Sequence, residues 1–195
     1  MTTLNLHTPD AAVTDSKVAL NYLKEGNLRF VNDTPMPRNT NKADLAITKD
    51  GQKPFAVVLT CADSRTAPEI YFDQKMGDIF VLRNAGNVAD PSVIGSIEFA
   101  VGALGAPLVV VVAHTKCGAV YSAFGGKKDF WPGLQSVLDG IGENVKNSSN
   151  EEQGALDNLS VQVEKIKNNP VVKEKGATVL GAVYDLATGK VAFNE

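Results

Sequence analysis

Three short runs of this chain are apolar at nearly every position rather than at every second one: "FAVVLT" from Phe55 to Thr60, "IFVLR" from Ile79 to Arg83 and "LVVVVA" from Leu108 to Ala113. Successive side chains of a strand point to opposite faces, so a strand lacking a polar face has to be covered on both sides. Sheets sandwiched between helices meet that condition. A fourth strand is read in "TVLGAVYD", Thr178 to Asp185, and the C-terminal "VYDLATGKVAF" reads as a hairpin turning at Thr188 and Gly189.

Between the strands the apolar spacing becomes helical. Asp90 and Pro91 suit an N-cap and a first helical position, and Ile94, Ile97, Val101 and Leu104 follow as one stripe up to a stop at Gly105. Leu156, Leu159, Val163 and Ile166 form a second stripe that ends before Pro170. Asp15 is positioned to cap a helix carrying Ala19, Leu20, Leu23, Phe30 and Val31, ahead of the loop "NDTPMPRNTN". The segment "GGKKDFWPG" is read as a loop, with Trp131 as a packing residue. This alternation predicts an α/β fold, a mainly parallel β-sheet flanked by helices with an added C-terminal hairpin strand. The 195 residues, 44% of them hydrophobic, suffice for one domain over 1–195, with 1–50 as an N-terminal helix and loop arm.

Charge and composition narrow the partners. A formal net charge of −3, with charges scattered rather than blocked, leaves no basic footprint for nucleic acid or anionic lipid. "MTTLNLHTPDAAVTDS" lacks the basic and apolar regions of a secretory signal. The longest fairly apolar segment, Ala100 to Ala113, is interrupted by glycines and Pro107 and falls short of the roughly 20 residues of a membrane helix. The expectation is a cytoplasmic protein with neither a nucleic acid nor a membrane partner. No dinucleotide or P-loop glycine motif is present.

Chemistry collects where strands end. "TCADSR" follows the first run and puts Cys61, Asp63 and Arg65 on alternate positions, on one side of the chain if the extended geometry persists. "AHTKCGA" ends the third run with His114 and Cys117, while the other histidine, His7, lies near the N-terminus. The carboxyl ends of parallel strands are where such sheets bind ligands. Two sulfurs, an imidazole nitrogen and a carboxylate oxygen form a plausible tetrahedral set for zinc. Taken alone, neither half is specific, because a free cysteine is commonly a small buried hydrophobe. With only two cysteines, 56 positions apart, neither a CxxC pair nor a disulfide framework is available.

"CADSR" followed 49 residues later by "HTKC" resembles the β-class carbonic anhydrases, and the resemblance continues through "FDQKMGDIFVLRNAGNV", "GSIEFAV" and "GAVYD". It implies one zinc per chain held by Cys61, His114 and Cys117, with Asp63 either a fourth ligand in a closed state or turned away to pair with Arg65. It implies reversible hydration of carbon dioxide to bicarbonate and a proton by a zinc-bound hydroxide, with Asp63 and Arg65 as catalytic residues. Gln74 matches a glutamine that hydrogen-bonds substrate in the plant-like branch, often across a dimer interface. A homodimer or higher even-numbered homo-oligomer, with the N-terminal helix on the partner, is implied as well. Another branch has a regulatory bicarbonate pocket whose positions match Val58, Arg83 and Tyr184; valine leaves it incomplete, and Arg83 is assigned a structural role. Ala113 and Thr66 stand where the family commonly has glycine and valine.

Two alternatives share these residues. Relatives with the same zinc site hydrolyse carbonyl sulfide or carbon disulfide. A non-catalytic zinc module would keep the site closed through Cys61, Asp63, His114 and Cys117, and would have no need of Arg65.

Overall fold

A computed structural model describes residues 12–37, 42–126 and 130–194. His7, most of "MTTLNLHTPDAAVTDS" and parts of "NDTPMPRNTN" and "GGKKDFWPG" lie outside them. In chain order the elements are α1 (Ser16–Val31), α2 (Lys42–Thr48), β1 (Ala56–Cys61), α3 (Pro68–Tyr71), β2 (Ile79–Asn84), α4 (Pro91–Glu98), a π-helical turn (Phe99–Ala103) and β3 (Leu108–His114). They continue with α5 (Gly118–Phe124), α6 (Pro132–Val145), α7 (Glu151–Lys167), α8 (Pro170–Lys175), β4 (Thr178–Tyr184) and β5 (Val191–Asn194). The sheet order is β2-β1-β3-β4-β5. The first four strands run parallel, and β5 returns antiparallel with Val191 opposite Tyr184.

The apolar runs divide between two cores. Val57, Leu59, Val109, Val111 and Ala113 face a layer containing Val93, Ile97, Ala100 and Val101 of α4 and its π turn, and Leu159, Val163 and Ile166 of α7. Ala56, Val58, Leu108, Val110 and Val112 face Ala19, Leu20 and Leu23 of α1, together with Phe55, Tyr71, Phe72 and Tyr184. Alternation along β1 and β3 therefore carries apolar side chains both ways. β2 departs from the expectation of full cover: it is the sheet's edge, and none of its six residues is fully buried.

Helix boundaries follow local chemistry. The Asp15 carboxylate accepts from the amides of Lys17 and Val18, and that of Asp90 accepts from those of Ser92 and Val93, so both expected N-caps form. Two stripes shift. The Leu104 amide donates to Phe99 O, five residues back, and that wider turn brings Val93 and Ala100 inward while leaving Ile94 and Leu104 half-buried. On α7, Ala155 rather than Leu156 is inside. Trp131 corrects its assignment as a packing residue, being 80% exposed at the N-cap position of α6. The C-terminal hairpin forms as expected: Asp185 Oδ1 accepts from the Ala187 and Thr188 amides, and Gly189 takes φ +72°.

The Asp90 carboxyl is held below its ordinary range by the Ser92 hydroxyl and then by the Val93 and Ser92 amides, against opposing burial. A lowered native pKa stabilises the fold above the unfolded value near ~4, and that contribution is lost as pH falls through the native value. Asp90→Ala is expected to cost about 1 kcal/mol at pH 7. Urea unfolding at stepped pH should show the gap between wild type and variant closing only under acid conditions.

Candidate metal centre

β1 lies between β2 and β3, so the chain leaves β1 toward one side and later returns to its other side. The crevice at the carboxyl ends of β1 and β3 is thus the topological switch point of the sheet. Cys61 ends β1 and His114 ends β3. Thr115 anchors the next turn: its amide donates to Tyr184 O, and its hydroxyl accepts from the Leu186 amide. Lys116 at φ +56° then swings the chain so that Cys117 takes the N-cap position of α5.

These three side chains converge. Their donor atoms all lie within 4.8 Å of one another, and the two sulfurs are 3.9 Å apart. Zinc–sulfur bonds of ~2.3 Å at a tetrahedral angle put two sulfurs about 3.8 Å apart. The His114 ring is wholly buried; its Nδ1 lies 2.9 Å from Thr115 O, which selects the tautomer protonated there. Nε2 is left buried with a free lone pair and no hydrogen-bond partner. An orphaned imidazole nitrogen beside two buried sulfurs is a donor set completed by a soft cation, and zinc suits it.

The sulfurs divide their protons unequally. The hydrogen bond between the two sulfurs lowers the Cys61 pKa, assisted by the Gly86 and Asp63 amides, against the effect of burial. Cys117 is raised, first by its bond to Cys61 and then by burial. Gly86 N donates to Cys61 Sγ at 3.4 Å.

Asp63 and Arg65 meet by a different route from strand alternation, because β1 ends at Cys61 and a turn follows. The Thr66 amide donates to Asp63 O, and within this turn Arg65 Nε and Nη2 reach Asp63 Oδ1 and Oδ2 at 2.9 and 2.6 Å. The Arg65 amide also donates to Oδ1. This bidentate pair holds the Asp63 carboxyl well below the usual carboxylate range, the guanidinium being the main cause. Both carboxylate oxygens are engaged by Arg65, and the converged donors are Cys61, His114 and Cys117.

The turn is secured through its carbonyls. Arg83 donates through Nε to Cys61 O and through Nη2 to Asp63 O. The wholly buried Thr66 places its hydroxyl 2.9 Å from the same two carbonyls. Val58 is a core residue and Tyr184 stacks on Tyr71 with centroids 4.4 Å apart. Gln74 is nearly buried, and its amide donates to Tyr22 O and Phe72 O. Within one chain its bonds are thus to α1 and the end of α3, not to the three donors. Sequence reasoning missed the Thr66 hydroxyl and the Gly86 amide; a polar residue following a charged strand end was the one signal for the first.

A mainly parallel α/β sheet with a Cys-His-Cys donor set at its switch point defines a candidate metal-binding α/β protein. Residues 56–191 match the family model described as carbonic anhydrase. Carbonic anhydrase 2 of Mycobacterium tuberculosis is 49% identical over 116 residues, covering 60% of this chain and 56% of that protein. The chain thus spans about half the length of that relative. The carbonic anhydrase of Pseudomonas aeruginosa is 32% identical over 187 residues, 86% of this chain and 84% of that one. A tetrameric β-carbonic anhydrase from Sordaria macrospora has the same fold, with a TM-score of 0.68, 23% identity and 91% of each chain covered. The chain belongs to the carbonic anhydrase family, in its β class.

Metal analysis of purified protein should return one zinc per chain, with little retained by Cys117→Ser or His114→Ala. Because binding favours the folded state by about 2.7 kcal/mol when free metal exceeds Kd a hundredfold, chelation should lower the thermal midpoint and added zinc should restore it.

Proposed function

We propose that this chain catalyses the reversible hydration of carbon dioxide to bicarbonate and a proton. One observation carries the reading: Asp63 is drawn into a bidentate pair with Arg65 beside three converged donors, an arrangement that leaves a fourth tetrahedral position for water. Zinc held by Cys61, His114 and Cys117 would acidify a bound water into a nucleophile near neutral pH.

The chain's own residues supply orientation. Asp63, kept ionised by Arg65, remains a hydrogen-bond acceptor throughout the neutral range. It accepts from the attacking water and turns a lone pair toward the carbon of the substrate. A carboxylate this acidic takes up no proton at pH 7, so the proton released leaves to buffer. Arg65 has a second function, since removing the guanidinium frees Asp63 to act as a fourth ligand and close the site.

The named relatives are carbonic anhydrases, which favours carbon dioxide over sulfur-containing heteroallenes. The Arg65 pair speaks against a purely structural zinc site. Further support bears on assembly: β2 is a half-buried edge, and Phe99 beside it is 51% exposed. That apolar margin fits a homodimer or higher even-numbered assembly, in which Gln74 would exchange a bond to Tyr22 O or Phe72 O to reach the substrate of a neighbouring site. The description as tetrameric belongs to the Sordaria proteins. The same reading makes the chain a cytoplasmic enzyme of one domain; among the described residues no helix is long and apolar enough to cross a membrane.

Stopped-flow hydration by zinc-loaded protein should rise with pH between 6.5 and 9, because deprotonation generates the nucleophile. Arg65→Ala should lower turnover about 10–100-fold while zinc is retained. No hydration at any pH with one zinc bound per chain would turn the reading to carbonyl sulfide or carbon disulfide, and then to a structural role for the site.

A further inference from the structure

The loop between β2 and α4 carries the Gly86 amide to the Cys61 sulfur, and that loop is held from a distance. Gly86 and Asn87 both take left-handed backbone angles, φ +74° and +47°. A methyl group at Gly86 would collide with Ile141 of α6. Two residues so placed, with one required to be glycine, define a backbone conformation that needs external support.

Support comes from one face of α7. Asn158 Nδ2 donates to Gly86 O at 3.0 Å, and Gln162 Oε1 accepts from the Ala89 amide at 2.9 Å. Four positions apart, these side chains share a helical face and are 1% and 3% exposed. They are also bonded to each other, Gln162 Nε2 donating to Asn158 Oδ1. Asn144 Nδ2 of α6 donates to the same oxygen at 2.9 Å. Asn158 Oδ1 thus accepts twice while its amide nitrogen faces the loop, so the network fixes which end of the amide meets Gly86 O. From the other side Asn84 clasps the loop, accepting from the Val88 amide and donating to Val88 O.

Buried amides are costly unless bonded, and an apolar pair at 158 and 162 would pack α7 against the sheet without that demand. The polar pair instead ends, through one residue, on a ligand sulfur. Hydrogen bonds to a coordinating thiolate withdraw charge from the sulfur and so tune the metal it holds. We propose that Asn158 and Gln162 are positioning residues, which hold Gly86 so that its amide donates to Cys61 Sγ in the metal-loaded protein. The proposal rests on Cys61 being a metal ligand.

The test uses full-length protein loaded with an NMR-active cadmium isotope. The cadmium resonance reports whether sulfur ligates the metal, and through-bond coupling from cadmium to the Gly86 amide proton reports the hydrogen bond. Wild type is expected to show both. Asn158→Asp keeps the shape and the oxygen that accepts from Asn144 and Gln162, but turns an acceptor toward Gly86 O; the Gly86 coupling should vanish. Chelator competition should show zinc affinity lower by about 10–100-fold. Asn144→Ala, which removes a bond to the same amide outside the loop, should keep the coupling at whatever stability it retains. Cadmium bound at sulfur with no Gly86 coupling in wild type would overturn the proposal alone, as would a coupling unchanged in Asn158→Asp. Failure to bind one cadmium per chain would remove the metal centre and this proposal together. If the aspartate variant does not fold, Gln162→Ala carries the same test through the Ala89 amide and Asn158 Oδ1, and a Gly86 coupling unchanged in it would overturn the role of the pair.

Discussion

The parallel pairing of β1 with β3 is the constraint on which everything else depends. Ala56 pairs with Leu108 and Thr60 with Val112, and both faces of both strands are dry. With no water available on either side, the backbone groups of these strands are satisfied by the ladder, so the register has no cheap alternative. Two chemically demanding side chains, Cys61 and His114, are thereby delivered to neighbouring strand ends. Cys117 needs only one tight turn more. The rigidity of the site is a property of the sheet, and the loops merely complete it.

Around that rigid base, the site is controlled largely through main-chain groups. Arg83 and Thr66 hold the carbonyls of Cys61 and Asp63, Thr115 holds the orientation of His114, and Gly86 presents an amide to sulfur. Carbonyl and amide positions vary less than long side chains do, which suits a centre whose donors must agree to within a fraction of an ångström. Arg65 is the exception: it is a half-exposed side chain holding another side chain. The Asp63 carboxylate is thus held by a side chain that solvent reaches.

The strands were legible because a residue run without polar alternation has few other uses, and the capping residues Asp15 and Asp90 marked their helices for a local reason. The three candidate metal donors were legible as types at or just after strand ends, since topology supplies the rest. What could not be read depended on contacts between distant segments. Choosing Ala155 over Leu156 for the core is decided by the rotation of α7 against the sheet, and the π turn after Glu98 rotates a stripe that spacing alone would keep straight. Trp131 misled because size suggests burial, whereas its place just before Pro132 at a helix start leaves the ring in solvent. The Asp63–Arg65 pair was expected for the wrong geometric reason: a turn, not a continuing strand, joins them.

The C-terminal hairpin has a reach beyond its length. Its first strand accepts the Thr115 amide through Tyr184 O, and Leu186 just past it donates to the Thr115 hydroxyl, between the candidate ligands His114 and Cys117. Asn27 of α1 holds the other limb, accepting from Val191 and donating to Gly189 O. Fraying of the chain's last turn is consequently not a local event. Opening of the hairpin would loosen the loop between His114 and Cys117 and release α1 together, so the candidate metal centre is tied to both segments through it.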